Sequence, residues 1–298
     1  MSYIVRLSAA IIAALGIVSC AGSRIEHVVI IGLDGWAASS WEKAEMPFVK
    51  SIAEQGAYTL HKRSVMPTSS GANWASLFMG AGPESHGYTT WWSKSPDVEP
   101  LEVNSHGIFP NVFSLYREAH PDAEMGLIYQ WSGMRSTSDT LAFNVDKKFK
   151  INPEGTELMC QYVCEYIKEK KPQLTLAAWD YPDKIGHTIG WLTPEYYAEL
   201  AKLDAVVERV FQAIKDAGIE DKTLVVITAD HGGKDLGHGH GTPEEMQGML
   251  ILYGAGIKSV GEMKSPIRGF DLAPTLTKLL GLKTPEIWYG KPIKEAIK

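Results

Sequence analysis

Three short apolar runs that each end in an aspartate constrain this chain more than any other feature. They are His27-Val-Val-Ile-Ile-Gly-Leu-Asp34, Leu174-Thr-Leu-Ala-Ala-Trp-Asp180 with Asp183 three residues on, and Thr223-Leu-Val-Val-Ile-Thr-Ala-Asp230. Continuous rather than alternating apolar residues indicate strands buried on both faces, as in a parallel sheet. Glu124 to Tyr129 and Met249 to Tyr253 are further candidate strands. Helical patterns lie between them. Met46 to Gly56 has Pro near its start and Gly at its end. Thr193-Pro-Glu opens a long helix whose apolar face is Leu200, Leu203, Val207, Val210 and Ile214, and Gly218 stops it. Asp271 to Leu280, closed by Gly281, is another. Strands alternating with helices predict an α/β fold, a doubly wound and mostly parallel sheet with helices on both faces. Residues 80–110 and 130–152 read as loop-rich segments bordering a site.

Parallel strands carry their C-terminal ends to one edge of the sheet, where ligands bind. Asp34, Asp183 and Asp230 should therefore converge. Clustered carboxylates repel one another unless they are protonated or a cation neutralises them. Histidines sharpen the case: Asp183-Lys-Ile-Gly-His187, the pair Asp230-His231, and His238-Gly-His240 in a Gly-rich stretch. Imidazole with carboxylate oxygen is the ligand set of a hydrolytic zinc site. Asp34, Asp183, Asp230, His187, His231 and one of His238 or His240 make six ligands, enough for two divalent ions with open positions. Two-metal sites serve phosphoryl transfer. Met66-Pro-Thr-Ser-Ser-Gly-Ala-Asn73 runs from a loop into an expected short helix, so Ser70 or a neighbour sits where helix amides favour a phosphate. Lys184 and Lys234 flank the ligand motifs, either to clamp a distal phosphate or to remain solvated.

Composition narrows the partners. With 29 basic and 35 acidic side chains, a net charge of −6 and no basic stripe, the chain is not built for nucleic acid. Three Cys in 298 residues do not make a disulfide framework. Cys160 and Cys164, four apart on a predicted helix, read as core-facing thiols. Residues 1–20 hold one Arg and a twelve-residue apolar run from Leu7 to Val18, which is short for a membrane span but suited to a signal peptide. The run ends at Ile17-Val18-Ser19-Cys20, similar to a bacterial lipobox. The expected organisation is a signal peptide over 1–20 and a single catalytic domain over 21–298. The protein would be exported to the periplasm or cell envelope and would touch the membrane only through a lipid on Cys20.

Taken in order, these motifs resemble the alkaline phosphatase superfamily, specifically its nucleotide pyrophosphatase/phosphodiesterase branch. The markers are Leu33-Asp34-Gly35, Pro67-Thr-Ser-Ser-Gly-Ala-Asn73, Met79-Gly-Ala-Gly-Pro-Glu-Ser-His-Gly87, Pro182-Asp-Lys-Ile-Gly-His187, Thr228-Ala-Asp-His-Gly232 and Asp271-Leu-Ala-Pro-Thr275. The resemblance implies an alkaline phosphatase-like fold with Ser70 as the nucleophile. Asp34, Asp230, His231 and the Ser70 oxygen would hold one zinc. Asp183, His187 and a later His, His238 with His240 in reserve, would hold the other. It also implies hydrolysis of a small phosphate ester, nucleotides included, through a covalent phosphoserine. Where the branch places an Asn that donates to a phosphate oxygen, this chain has Trp91. That contact is then lost, moved to Asn73 or a backbone amide, or replaced by stacking of substrate on the indole. A sulfatase would need Pro and Arg after the nucleophile, which Ser69-Ser-Gly-Ala-Asn lacks. A phosphomonoesterase or phosphosugar mutase of the same superfamily, and a glycan- or lipid-binding surface lipoprotein with a decayed site, are the alternatives.

Overall fold

In a computed structural model, residues 25–298 are described, and the signal-peptide and lipobox expectation lies outside them. Eight strands form one sheet: β1 (His27–Leu33), β2 (Ala57–Arg63), β3 (Met125–Tyr129), β4 (Val145–Lys148), β5 (Leu174–Trp179), β6 (Thr223–Thr228), β7 (Gln247–Gly254) and β8 (Gly261–Glu262), in the order β4-β3-β5-β1-β6-β7-β2-β8. From β4 to β6 every pairing is parallel. The apolar run Met249 to Tyr253 lies in β7, which runs antiparallel to both β6 and β2.

Helices cover both faces, as the period of the strands requires. Val29, Ile31, Leu33, Val225 and Ile227 point into one apolar cluster, which Leu200, Leu203, Val207, Val210 and Ile214 of the helix Pro194–Asp216 enter from outside. Their alternates Val28, Ile30, Leu224 and Val226 point into the other, against Trp74 and Leu77 of the helix Ser70–Met79 and Leu272 and Leu276 of the helix Leu272–Leu280. Thr193 caps the long helix by accepting from the Tyr196 amide at 3.3 Å, and Gly218 follows it at φ 68°. Cys160 and Cys164 are free and lie where the helix Pro153–Lys170 meets Pro194–Asp216, their sulfurs toward the Val206 and Arg209 carbonyls. Among the described residues no helix is long and apolar enough to cross a membrane.

Candidate active site

The central strands set the site. Leu33 of β1 lies beside Trp179 of β5, and Gly32 beside Thr228 of β6, so the residues that follow them emerge together. The ladder continues past the strand ends: the Asp34 amide donates to the Trp179 carbonyl at 3.0 Å and the Asp183 amide to the Asp34 carbonyl at 2.9 Å. Gly35 stands at φ 67°, and a Cβ there would lie 2.8 Å from the Asp183 Cβ and Oδ1. Its amide donates to Asp230 Oδ1 at 3.2 Å. Only glycine satisfies both the left-handed backbone and the close approach, and it brings the three acidic turns together.

Three imidazoles face these acids with their protons turned away. His231 Nδ1 is 2.7 Å from the Gly232 carbonyl, His238 Nδ1 is 2.6 Å from that of Thr68, and His187 Nδ1 is 3.0 Å from that of Leu236. A carbonyl only accepts, so in each neutral ring Nδ1 carries the hydrogen and Nε2 presents a lone pair. His231 Nε2 lies 3.2 Å from Asp230 Oδ2 and 3.7 Å from Asp34 Oδ1. His238 Nε2 lies 3.6 Å from Asp183 Oδ1 and 3.0 Å from His187 Nε2, which is itself 3.5 Å from Asp183 Oδ2. Asp34 Oδ1, Asp183 Oδ1 and Asp230 Oδ2 are buried with no hydrogen-bond partner. Lone pairs aimed at lone pairs in a buried space are the donor set of a cation site. Among the described residues two groups have the spacing for an ion: Asp34, Asp230 and His231, and Asp183, His231 and His238. His231 thus stands between the two, while His187 adjoins the second. The His240 side chain is exposed and its backbone serves the loop, its carbonyl accepting from the Thr68 hydroxyl at 2.7 Å.

The electrostatics agree with that geometry. Burial, then repulsion from Asp230, Asp183 and Asp180, pushes the Asp34 carboxyl well above the usual carboxylate range. Burial, then Asp180 and Asp230, does the same to Asp183. Burial raises Asp230, against the Gly35 amide hydrogen bond. Asp180, which the sequence reading did not choose as a site residue, is pushed up to about 7 by burial, with Lys184 opposing. Burial pulls His231 and His238 down to about 3. A cation removes the repulsion that raises these acids.

Ser70 opens the ten-residue helix Ser70–Met79, whose side chains are all buried. Its Oγ is 3.2 Å from His231 Nε2, which ties it to the first ligand group. The helix is locked to β1 at Gly32, where a Cβ would lie 2.7 Å from the Trp74 ring. Trp74 Nε1 donates to Asp34 Oδ2 at 3.0 Å, a contact that nothing in the sequence marked. The Asn73 amide is committed to the loop before the helix: Nδ2 donates to the Pro67 and Ser69 carbonyls, both at 3.0 Å, and Oδ1 accepts from the Val65 amide at 2.7 Å. Asn73 therefore braces the segment that carries Ser70. The loop after Gly87 lies over the same helix end, since a Cβ on Gly71 would be 2.1 Å from the Thr90 carbonyl oxygen. Trp91 and Trp92 follow, 57% and 50% exposed. Lys234 reaches Glu244 at 3.9 Å at the rim, and Lys184 is exposed.

His86 fastens that loop. Its Nδ1 accepts from the Tyr88 amide at 3.1 Å and its Nε2 donates to Ser76 Oγ at 2.9 Å. Burial lowers this imidazole to about 3 from its ordinary 6.5. A histidine held neutral in the fold contributes stability that is present above the unfolded value and lost as pH falls toward the folded one. The stability advantage of wild type over His86→Gln should therefore narrow steadily from pH 6.5 toward 3, as measured by urea unfolding. A difference that does not change with pH would remove His86 as the loop's fastening.

A family model described as type I phosphodiesterase / nucleotide pyrophosphatase matches residues 28–244. The chain belongs to this family. Its relatives include venom phosphodiesterase CdcPDE of Crotalus durissus collilineatus, 23% identical over 244 residues that cover 75% of this chain and 28% of that protein. The chain spans less than half the length of the curated relatives it matches. Among solved structures, murine ectonucleotide pyrophosphatase / phosphodiesterase 5 in complex with AMP superposes with a TM-score of 0.70 at 14% identity, over 87% of this chain and 96% of that one. A variant of the alkaline phosphatase PafA gives 0.77 at 13% identity, over 92% and 99%. The type I phosphodiesterase family and its alkaline phosphatase-like fold thus account for the mixed sheet with its parallel core.

Proposed function

We propose that this member of the family hydrolyses small phosphate esters, phosphodiesters and nucleotide pyrophosphates first among them, through a covalent phosphoserine on Ser70. The observation that carries the reading is the set of three buried, partnerless carboxylate oxygens facing imidazole lone pairs, with the Ser70 hydroxyl 3.2 Å from one of them. These residues fit two divalent cations, and nitrogen with carboxylate oxygen favours zinc. Asp34, Asp230, His231 and Ser70 would hold one, and Asp183, His187 and His238 the other. When bound, such cations supply positive charge to the non-bridging phosphate oxygens and to the attacking and leaving oxygens.

The chain's own residues do the rest. Ser70 is the first residue of the helix Ser70–Met79, and the open amides of a helix start favour a phosphate seated beside its Oγ. Ser70 Oγ gives its proton to solvent as its bond to phosphorus forms, and the leaving oxygen departs with the electron pair of the broken bond and takes a proton from water. Water then cleaves the phosphoserine, restores the hydroxyl and releases the second product. Asn73 and Trp74 hold Ser70 and Asp34 in place without touching the reacting atoms. Cys20 and the apolar run before it support export and a lipid anchor, and Cys20→Ser should release the protein from the membrane fraction.

A hydrolysis screen of the zinc-loaded protein across mono- and diesters tests the reading. Failure on every ester would sink it. The exposed Trp91 indole sits one residue after the Thr90 carbonyl that covers Gly71, where it can stack a leaving group's ring. Base–aromatic stacking is worth about 1–3 kcal/mol by alanine substitution. In the same screen, Trp91→Ala should raise KM for a nucleoside diester about tenfold with kcat nearly unchanged. An equal loss on a methyl ester, which has no ring, would show that Trp91 serves the loop and not the substrate.

A further inference from the structure

Lys62 is wholly buried although it sits in the polar run His61-Lys62-Arg63 at the end of β2. Its register partner on β7 is Gly248. Between β2 and β6 stands the whole width of β7, and the lysine stem crosses it where that strand has no side chain. A Cβ on Gly248 would lie 3.2 Å from Lys62 Nζ. Beyond the gap, Nζ donates to the Ala229 carbonyl and lies 3.5 Å from Thr228 Oγ1. Just past the end of β2, the Ser64 hydroxyl donates to the Asp230 carbonyl at 2.6 Å. Two successive carbonyls, those just before His231, are thus each held by a side chain from one short stretch of chain, Lys62 in β2 and Ser64 just after it. That stretch also leads directly into the loop that ends at Ser70.

We propose that Lys62 and Ser64 form a clamp that sets the Asp230–His231 turn for cation binding, which makes Lys62 a positioning residue for the site. The inference rests on the cation reading given above. A buried amine in a sheet is a poor source of stability, since its desolvation opposes what its contacts contribute, and an apolar side chain of similar length often serves the fold as well. The clamp has a different consequence. Asp230 and His231 hang from the two peptides it fixes, and a ligand that must be reset on binding costs affinity.

The test is Lys62→Met in the full-length protein, stripped by dialysis against chelator. Zinc affinity is measured by competition with a chromogenic chelator, and thermal stability is measured without metal. A clamp predicts zinc binding at least about tenfold weaker, with the melting temperature of the stripped protein unchanged or raised. Unchanged zinc affinity overturns the proposal, whatever the melting temperature does. If Lys62→Met does not fold, Ser64→Ala decides by the same measurement, a weakening of about threefold or more supporting the clamp and no change overturning it. A wild-type protein that binds neither zinc nor manganese refutes the cation reading itself, and the clamp falls with it.

Discussion

Stripped of divalent cations, the protein is expected to lose at least about a thousandfold in turnover of an aryl phosphodiester, and zinc should restore it. The reason lies in what the site contains without a cation. Asp34 Oδ1, Asp183 Oδ1 and Asp230 Oδ2 are buried and unpartnered, and the imidazoles beside them offer lone pairs rather than protons. Such a surface repels a phosphate; it becomes a phosphate site only when positive charge is added. The same addition should be visible in stability. A ligand that binds only the folded state contributes about 4 kcal/mol at a thousandfold excess over its Kd, so zinc should raise the melting temperature by several degrees, with no substrate present. Metal content after dialysis, turnover and melting temperature are read on one sample. Full turnover in the exhaustively stripped protein would refute the cation reading, and no thermal shift on adding zinc would argue that the six ligands are held together by protons instead.

The parts of this molecule that could be read in advance are those whose cause is local. β1, β5 and β6 are legible because burial on both faces demands unbroken apolar sequence, and their acids converge because parallel strands share an edge. Direction is not local: the apolar run in β7 records burial equally well in an antiparallel strand. β4, within the segment 130–152 read as loop-rich, reads Val-Asp-Lys-Lys and has one neighbour, so nothing in its composition required a strand. At the site, His187 could be proposed from spacing, and His238 or His240 as an open choice that the family resemblance settled on His238, but the position of His231 between both ligand groups could not, because it depends on how two strand ends and the Thr68 loop meet. Asn73 shows the limit for a polar side chain. Its type suggests a donor to substrate, and the three-dimensional fold commits that donor to the carbonyls of residues 67 and 69. Lys62 shows the same limit for a charge, since its burial is licensed by a glycine on another strand.

Ser70→Ala separates chemistry from assembly in this site, and its effect should be as large as that of stripping the metal. The structure places the Ser70 Oγ at the ligand groups, 3.2 Å from His231 Nε2, at the first position of a buried helix. Removing it deletes one oxygen from a position where Asp34, Asp230 and His231 remain, so zinc content should stay near that of wild type. The helix should stay as well. Its N-cap residue is Ser69, and it is fixed by Asn73 and Trp74, none of which contacts the Ser70 hydroxyl. Turnover should nevertheless fall by about a thousandfold or more, because splitting the reaction into two easier displacements requires the covalent step. Acid quenching during turnover should trap phosphate on wild type and none on the variant. A variant that keeps its metal and its fold but also keeps its turnover would show that water attacks phosphorus directly. Ser70 would then be only a ligand and the N-terminal residue of its helix. A variant that loses metal and turnover together would instead make the Ser70 oxygen a principal ligand, and the phosphate trapped on wild type would still decide whether it is also the nucleophile.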